Sequence, residues 1–207
     1  CSEPLIHCTM REGDLCTLLR HKLADRLPEL SPLIDEFCAA FSSPQVLPKK
    51  TVLIRLDDAS THLHFILDGT VLELGEDDRG QLTVNQDYAP GEFVFNFHRH
   101  LTRLPSKTVY QCVTPTRILT MDQDVLESFQ KKDGFDEVFF VIQQHLLTQV
   151  RAHFQHLLQL SPIQHYIWIF HHKPWLVEAL TRNQMAAFLG ISRATFFRLL
   201  AKHAPNE

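Results

Sequence analysis

The sequence predicts an α+β chain: N-terminal helices and a β-roll of double-stranded β-helix or jelly-roll-like form, then one long helix, then an all-α C-terminal unit. Three observations carry this. Between Val46 and Met121, β-branched and aromatic runs of strand length ("TVLIRL", "HLHFILDGTVLEL", "QLTVNQ", "KTVYQCV") alternate with turn clusters such as "GEDDRG". After "KKDG" the hydrophobic period switches from about 2 to about 3.5. From Ser161 onward, capping signals and helical spacing replace strand patterns. The segments are therefore 1–134, 135–160 and 161–207.

Residues 5–41 read as helical, interrupted at Pro28 and Pro32, and the "SSPQVLP" stretch from Ser42 to Pro48 ends them. The strand runs of the roll follow. In the long helix Phe140, Gln143, Leu147, Val150, Phe154 and Leu157 are spaced 3, 4, 3, 4, 3, the a/d seam of a helix that packs on another helix. Ile142 and Leu146 widen the stripe toward the roll. Spacing alone leaves two partners open: a second copy of the helix, or the chain's own sheet. Ser161 as N-cap, Pro162 at the first helical position and Gln164 three residues on start a new helix that Pro174 stops. "TRNQ" from Thr181 to Gln184 repeats the capping-box signature, Gly190 makes a turn, and Ser192 caps a last helix. That helix carries Arg193, Phe197, Arg198 and Lys202 on one face.

Composition narrows the function. With 44% hydrophobic and 21% charged residues the chain is globular rather than disordered. No apolar run approaches the roughly 18 residues of a membrane span, and no signal-peptide pattern opens the sequence, so the expected location is cytoplasmic, with no membrane partner. Cys1, Cys8, Cys16, Cys38 and Cys112 are odd in number and lack CxxC spacing, which predicts reduced thiols, with Cys38 and Cys112 in the core. The net charge of −4 is uneven: residues 1–134 hold 14 basic against 20 acidic side chains, and residues 135–207 hold 6 against 4. Thr181 to His203 contains Arg182, Arg193, Arg198 and Lys202 and no acid, a local field that suits phosphate.

Two short helices joined by a glycine turn, the second opening with Ser and Arg, form a helix-turn-helix arrangement whose second helix fits a DNA major groove. The whole order, together with "HLHFILDGTV" around Gly69, "PGEF" at Pro90 to Phe93 and "LTRNQMAAFLGISRATFFRLLAK", resembles the Crp–Fnr superfamily of bacterial transcription regulators. The resemblance covers nearly the whole chain. It implies a homodimeric, sequence-specific DNA-binding regulator, no enzyme, with a cyclic-nucleotide-binding-like sensor roll. Palindromic double-stranded DNA, a second copy and RNA polymerase would be the partners. Carried over, Arg193 and Arg198 face bases, and Thr181, Arg182, Ser192 and Thr195 face the backbone, with Lys202 beside them.

The departures are equally specific. Cyclic-AMP-binding members place Gly-Glu and Arg-Ser or Arg-Thr where this chain has Phe95-Asn96 and Pro105-Ser106, so a buried phosphate would lack its arginine. The expected effector pocket therefore comprises Phe95, Asn96, Phe97, Pro105 and Ser106, does not take cyclic AMP, and is filled in part by Phe95 and Phe97. Ala194 stands where many relatives have an acidic base-reading residue, so the operator should differ. The rival reading is a cupin-like metal protein or enzyme, because His62, His64 and Asp68 in "HLHFILDGTVLELG" resemble part of a cupin motif. His98 and His100, alternating in an expected sensor loop, are weaker candidates for haem or metal. Cys1, Cys8, Cys16 and Cys112 are spaced too widely for a usual iron–sulfur loop. No nucleophile–base motif or phosphate-cradling glycine loop is present, and no cofactor is expected.

Overall fold

The computed structural model describes residues 14–23 and 30–203. Cys1, Cys8 and Pro28 lie outside the described residues. Helices α1 (Asp14–Leu23) and α2 (Ser31–Ala39) precede eight strands: β1 (Gln45–Leu47), β2 (Val52–Ile54), β3 (Leu63–Asp68), β4 (Val71–Glu76), β5 (Leu82–Tyr88), β6 (Phe93–Val94), β7 (Val109–Cys112) and β8 (Thr116–Met121). They form two four-stranded antiparallel sheets, ordered β1-β8-β3-β6 and β2-β7-β4-β5. Residues 63–67 of β3 are buried throughout, because one face meets the opposite sheet and the other meets helices. The roll's core runs on into α1, α2 and the near face of a long helix, through Leu15, Phe37, Phe65, Phe135, Val138, Ile142 and Leu146.

Gly69 has φ +89° in the turn between β3 and β4, where a Cβ would lie 2.4 Å from the Pro115 carbonyl oxygen and 2.7 Å from Thr116 Cα. Both obstacles are backbone. Gly69→Ala is expected to cost about 1–3 kcal/mol, read as a lowered melting temperature in a thermal scan.

Two short helices have no counterpart in the sequence reading: α3 (Phe97–Thr102), inside the region expected to be a sensor loop, and α4 (Gln123–Phe129). Helix α5 (Phe135–Gln159) carries the heptad seam, and four helices follow it: α6 (Pro162–His172), α7 (Pro174–Ala179), α8 (Arg182–Phe188) and α9 (Arg193–His203). Pro32 and Pro174 sit in the first turns of α2 and α7, where a missing N–H costs nothing, so they start helices rather than interrupt or only stop them.

The expectation of reduced thiols is corrected at one pair. Packing of α1 on α2 brings the Cα atoms of Cys16 and Cys38 to 5.8 Å, within bridging range, and the two form a disulfide. A separation of 22 residues in sequence gave no sign of that approach. Arg20–Asp35 pairs the same two helices on the surface, and Lys132–Glu36 ties α2 to the turn before α5. Cys112 is a free, buried thiol in β7, its pKa raised by burial. No described helix is long and apolar enough to cross a membrane.

Candidate nucleic-acid interface

The two-helix unit is built by its caps. Thr181 Oγ1 accepts from the Gln184 N–H at 3.2 Å while Gln184 Oε1 accepts from the Thr181 N–H at 3.0 Å, the reciprocal capping box. At the other end of α8, Gly190 (φ +67°) lets the Ile191 N–H reach the Ala186 carbonyl and its own N–H reach the Ala187 carbonyl, both at 3.0 Å. This Schellman closure requires a left-handed residue, which glycine adopts without a Cβ penalty. Ser192 Oγ then accepts from the Thr195 N–H at 3.2 Å and starts α9. Met185, Ala186, Phe188, Leu189 and Phe196 are buried in one apolar cluster that α8 and α9 share with α6, α7 and the roll.

With the apolar residues turned inward, Thr181, Arg182, Ser192, Arg193, Arg198 and Lys202 are exposed and Thr195 is half-buried. Arg182 and Arg193 are brought together: their guanidinium carbons lie 5.2 and 5.4 Å from the centre of the Phe197 ring, within cation–π range. Arg198 donates to Thr195 Oγ1 at 3.2 Å, and that oxygen is 2.9 Å from Ser192 Oγ. Ala194 is exposed beside Arg193 and offers no acceptor.

On α5, Phe140, Leu147, Val150, Phe154 and Leu157 are all exposed, Leu147 at 68% and Phe154 at 59%, whereas Ile142 and Leu146 are buried against the roll. The seam is therefore not packed into the chain's own core, although Phe140, Leu147 and Val150 border the roll across an open space. Gln143 is half-buried at its edge.

Between α3, α5 and the roll lies a cavity of about 580 Å³. Glu73, Tyr88 and Tyr110 line it from the sheet, Phe97 and His98 from α3, and Phe140, Leu147 and Val150 from α5. Of the five residues expected at an effector pocket, only Phe97 lines this cavity. Phe95, Asn96 and Ser106 are buried in the roll and Pro105 is exposed. Asn96 is the N-cap of α3, its Oδ1 accepting from the Arg99 N–H at 3.1 Å, and Phe95 stacks edge-on against Phe97 and Phe139. Glu73 accepts from Tyr88 Oη at 3.2 Å and from Thr108 Oγ1 at 3.0 Å, which places a carboxylate in the wall.

His62 and His64 are neighbours, their ring centres 6.4 Å apart, but Asp68 is not brought to them as a third ligand. His62 Nδ1 accepts from the Gln123 N–H, His64 Nδ1 lies 3.0 Å from Thr120 Oγ1, and Asp68 Oδ1 accepts from the Gly69 N–H. Burial, then the neighbouring His62, hold His64 down to about 4. A register shift between Ile66 and Asp68 interrupts the strand alternation that would put His64 and Asp68 on one face. His98 and His100 stand on α3 rather than in a loop, so they have different neighbours: His98 faces the cavity and His100 packs on Phe95 and Phe139. Among the described residues no three His, Cys, Asp or Glu side chains are placed to hold one metal ion. Of the iron–sulfur candidates, Cys16 is tied to Cys38 and Cys112 is buried in a strand.

No protein-family model and no curated protein matches the chain. Solved structures do. The chain is similar to the c-di-GMP-responsive global regulator CLP of Xanthomonas campestris, with 20% identity over 83% of this chain and 90% of that one, at a TM-score of 0.64. It is also similar to a CRP-family transcriptional regulator of Thermus thermophilus, with 15% identity over 76% and 83% at 0.57. FixK2 of Bradyrhizobium japonicum shares 12% identity over 77% and 83% at 0.56. The chain has the Crp–Fnr regulator fold: a cyclic-nucleotide-binding-like roll, a long connecting helix and a helical C-terminal unit.

Proposed function

We propose that the protein is a homodimeric, sequence-specific DNA-binding transcription regulator and not an enzyme. One observation carries this reading: α9 presents Arg193, Arg198 and Lys202 outward beside Arg182, in a stretch from Thr181 to His203 that holds no acidic residue, on a capped two-helix unit. A groove-reading helix needs that combination of fixed geometry and positive field. In this reading Arg193 and Arg198 meet base edges, while Thr181, Arg182, Ser192, Thr195 and Lys202 hold the backbone. The exposed seam of α5 pairs two copies about a twofold axis, so the target is a palindromic duplex with half-sites about one helical turn apart. RNA polymerase is the partner that would convert occupancy into regulation, and a cytoplasmic location belongs to the same reading. Fragments selected from genomic DNA should show two footprinted half-sites; a selection that yields no enriched sequence would remove the proposal.

The roll is a sensor whose ligand is not cyclic AMP. No arginine lines the cavity, so a phosphate there would lack a bidentate partner; the one lysine in the lining, Lys107, shares it with the Glu73 carboxylate, which repels an anion. Calorimetry with cyclic AMP and with cyclic GMP is expected to give no heat at submillimolar ligand. Tight binding that maps to the cavity would overturn this assignment. The c-di-GMP response belongs to CLP and is not carried to this chain.

A further inference from the structure

The helical unit is not free of the roll. Helix α8 packs along β5, and Leu72, Val84 and Val113 of the roll share one apolar cluster with Leu176, Met185 and Phe188. Within this contact Lys173 Nζ donates to both carboxylate oxygens of Asp87 at 2.8 Å. The Asp87 side chain is 1% exposed and that of Lys173 22%. Burial pulls the Lys173 ammonium down, but the Asp87 carboxylate, by its charge and hydrogen bonds, more than offsets this and raises it. Asp87 precedes Tyr88, which lines the cavity, so one strand touches both the sensor space and the helical unit.

A second carboxylate lies at the same junction. Glu92, in the turn after β5, accepts from the Ala89 N–H at 2.8 Å. We propose that Asp87, Lys173 and Glu92 form the joint that positions the two-helix unit on the roll, and that the proton on Glu92 sets how firmly the joint is held. Its relevance to DNA rests on the reading of α8 and α9 given above; its existence does not.

The charge balance supplies the mechanism. Burial first, then the charge of Asp87, push the Glu92 carboxyl up from 4.5 to about 7, against the lowering effects of Lys173 and the Ala89 N–H. The other titratable groups facing the junction are His153 and His156 on α5 and His165 on α6; His172 acts on His156 alone. Burial, first among the causes, holds His153 and His165 down to about 4 and lowers His156, so these rings stay neutral near pH 7. Below about pH 7 Glu92 is protonated, and Asp87 and Lys173 balance. Above it two carboxylates share one ammonium in a low-dielectric seam, where a net charge is costly. The docked state binds the Glu92 proton more tightly than an open state with an ordinary carboxyl. Docking therefore weakens as pH rises from about 4.5 to about 7 and then levels off.

Hydrogen exchange of the full chain, read by mass spectrometry on β5 and α8 peptides and corrected for intrinsic rates, tests this. The opening constant is expected to rise about tenfold between pH 6 and pH 8 in the wild type and to stay flat in Glu92→Gln. Lys173→Met should open the junction at both pH values, and the reversed pair Asp87→Lys with Lys173→Asp should restore protection. If Lys173→Met does not fold, the near-isosteric Glu92→Gln carries the test. A tenfold rise that survives Glu92→Gln, or α8 protection unchanged in Lys173→Met, would overturn the joint. Exchange is read without DNA, so a protein that binds no selected 40-bp duplex yet loses its pH response in Glu92→Gln keeps the joint and loses only the DNA reading.

Discussion

Replacing Leu147 and Val150 together with Asp is expected to leave a folded monomer. Both side chains are exposed on α5, at 68% and 48%, and border the cavity rather than the roll's core, so little internal packing is lost. In a twofold dimer the same substitutions bury four carboxylates against each other and against Phe154. Each costs several kcal/mol, and even about 4 kcal/mol in total weakens association about 1000-fold. Sedimentation at micromolar concentration should show a dimer for the wild type and a monomer for the variant, with unchanged circular dichroism. A variant that stays dimeric would place the interface elsewhere and leave the exposed seam unexplained.

Arg193→Ala and Arg198→Ala are expected to cost about 1–3 kcal/mol each on the selected operator and far less on random DNA, because a bidentate guanine contact is lost only where guanine is present. Arg182→Ala should instead weaken both duplexes by similar factors and make the salt dependence shallower by about one unit, since a phosphate contact releases a counterion whatever the sequence. Arg182 and Arg193 both pack on the Phe197 ring, which gives a reason for the two effects to be coupled. Equal losses on operator and random DNA for Arg193→Ala would move that residue from base reading to backbone contact.

What the sequence revealed was local. Ser161 with Gln164, and Thr181 with Gln184, signalled helix starts because a capping box lies within four residues, and both boxes form. Gly190 signalled a turn because only a left-handed residue closes α8. The seam was visible as a period, but its direction was not, since spacing cannot say which surface covers a stripe; exposure of Leu147 and burial of Ile142 decide it. Helix α3 was hidden because Phe95, Asn96, Phe97 and His98 alternate apolar and polar as a strand would, while Asn96, the cap that starts the helix, reads by position as a pocket residue. The Cys16–Cys38 pair and the Asp87–Lys173 joint join residues 22 and 86 apart, and nothing near either residue announces a partner that only folding supplies.

A weakly basic two-helix unit on an acidic chain is expected to read DNA. The most direct test is a titration of the full-length protein against a genomic-selected duplex and a random duplex of equal length, at two ionic strengths. Binding should be tighter on the selected duplex at both, and should weaken on both as salt rises, because phosphate contacts release counterions. Affinity that is absent, or that is independent of salt and the same for both duplexes, would reduce α8 and α9 to an ordinary helical hairpin.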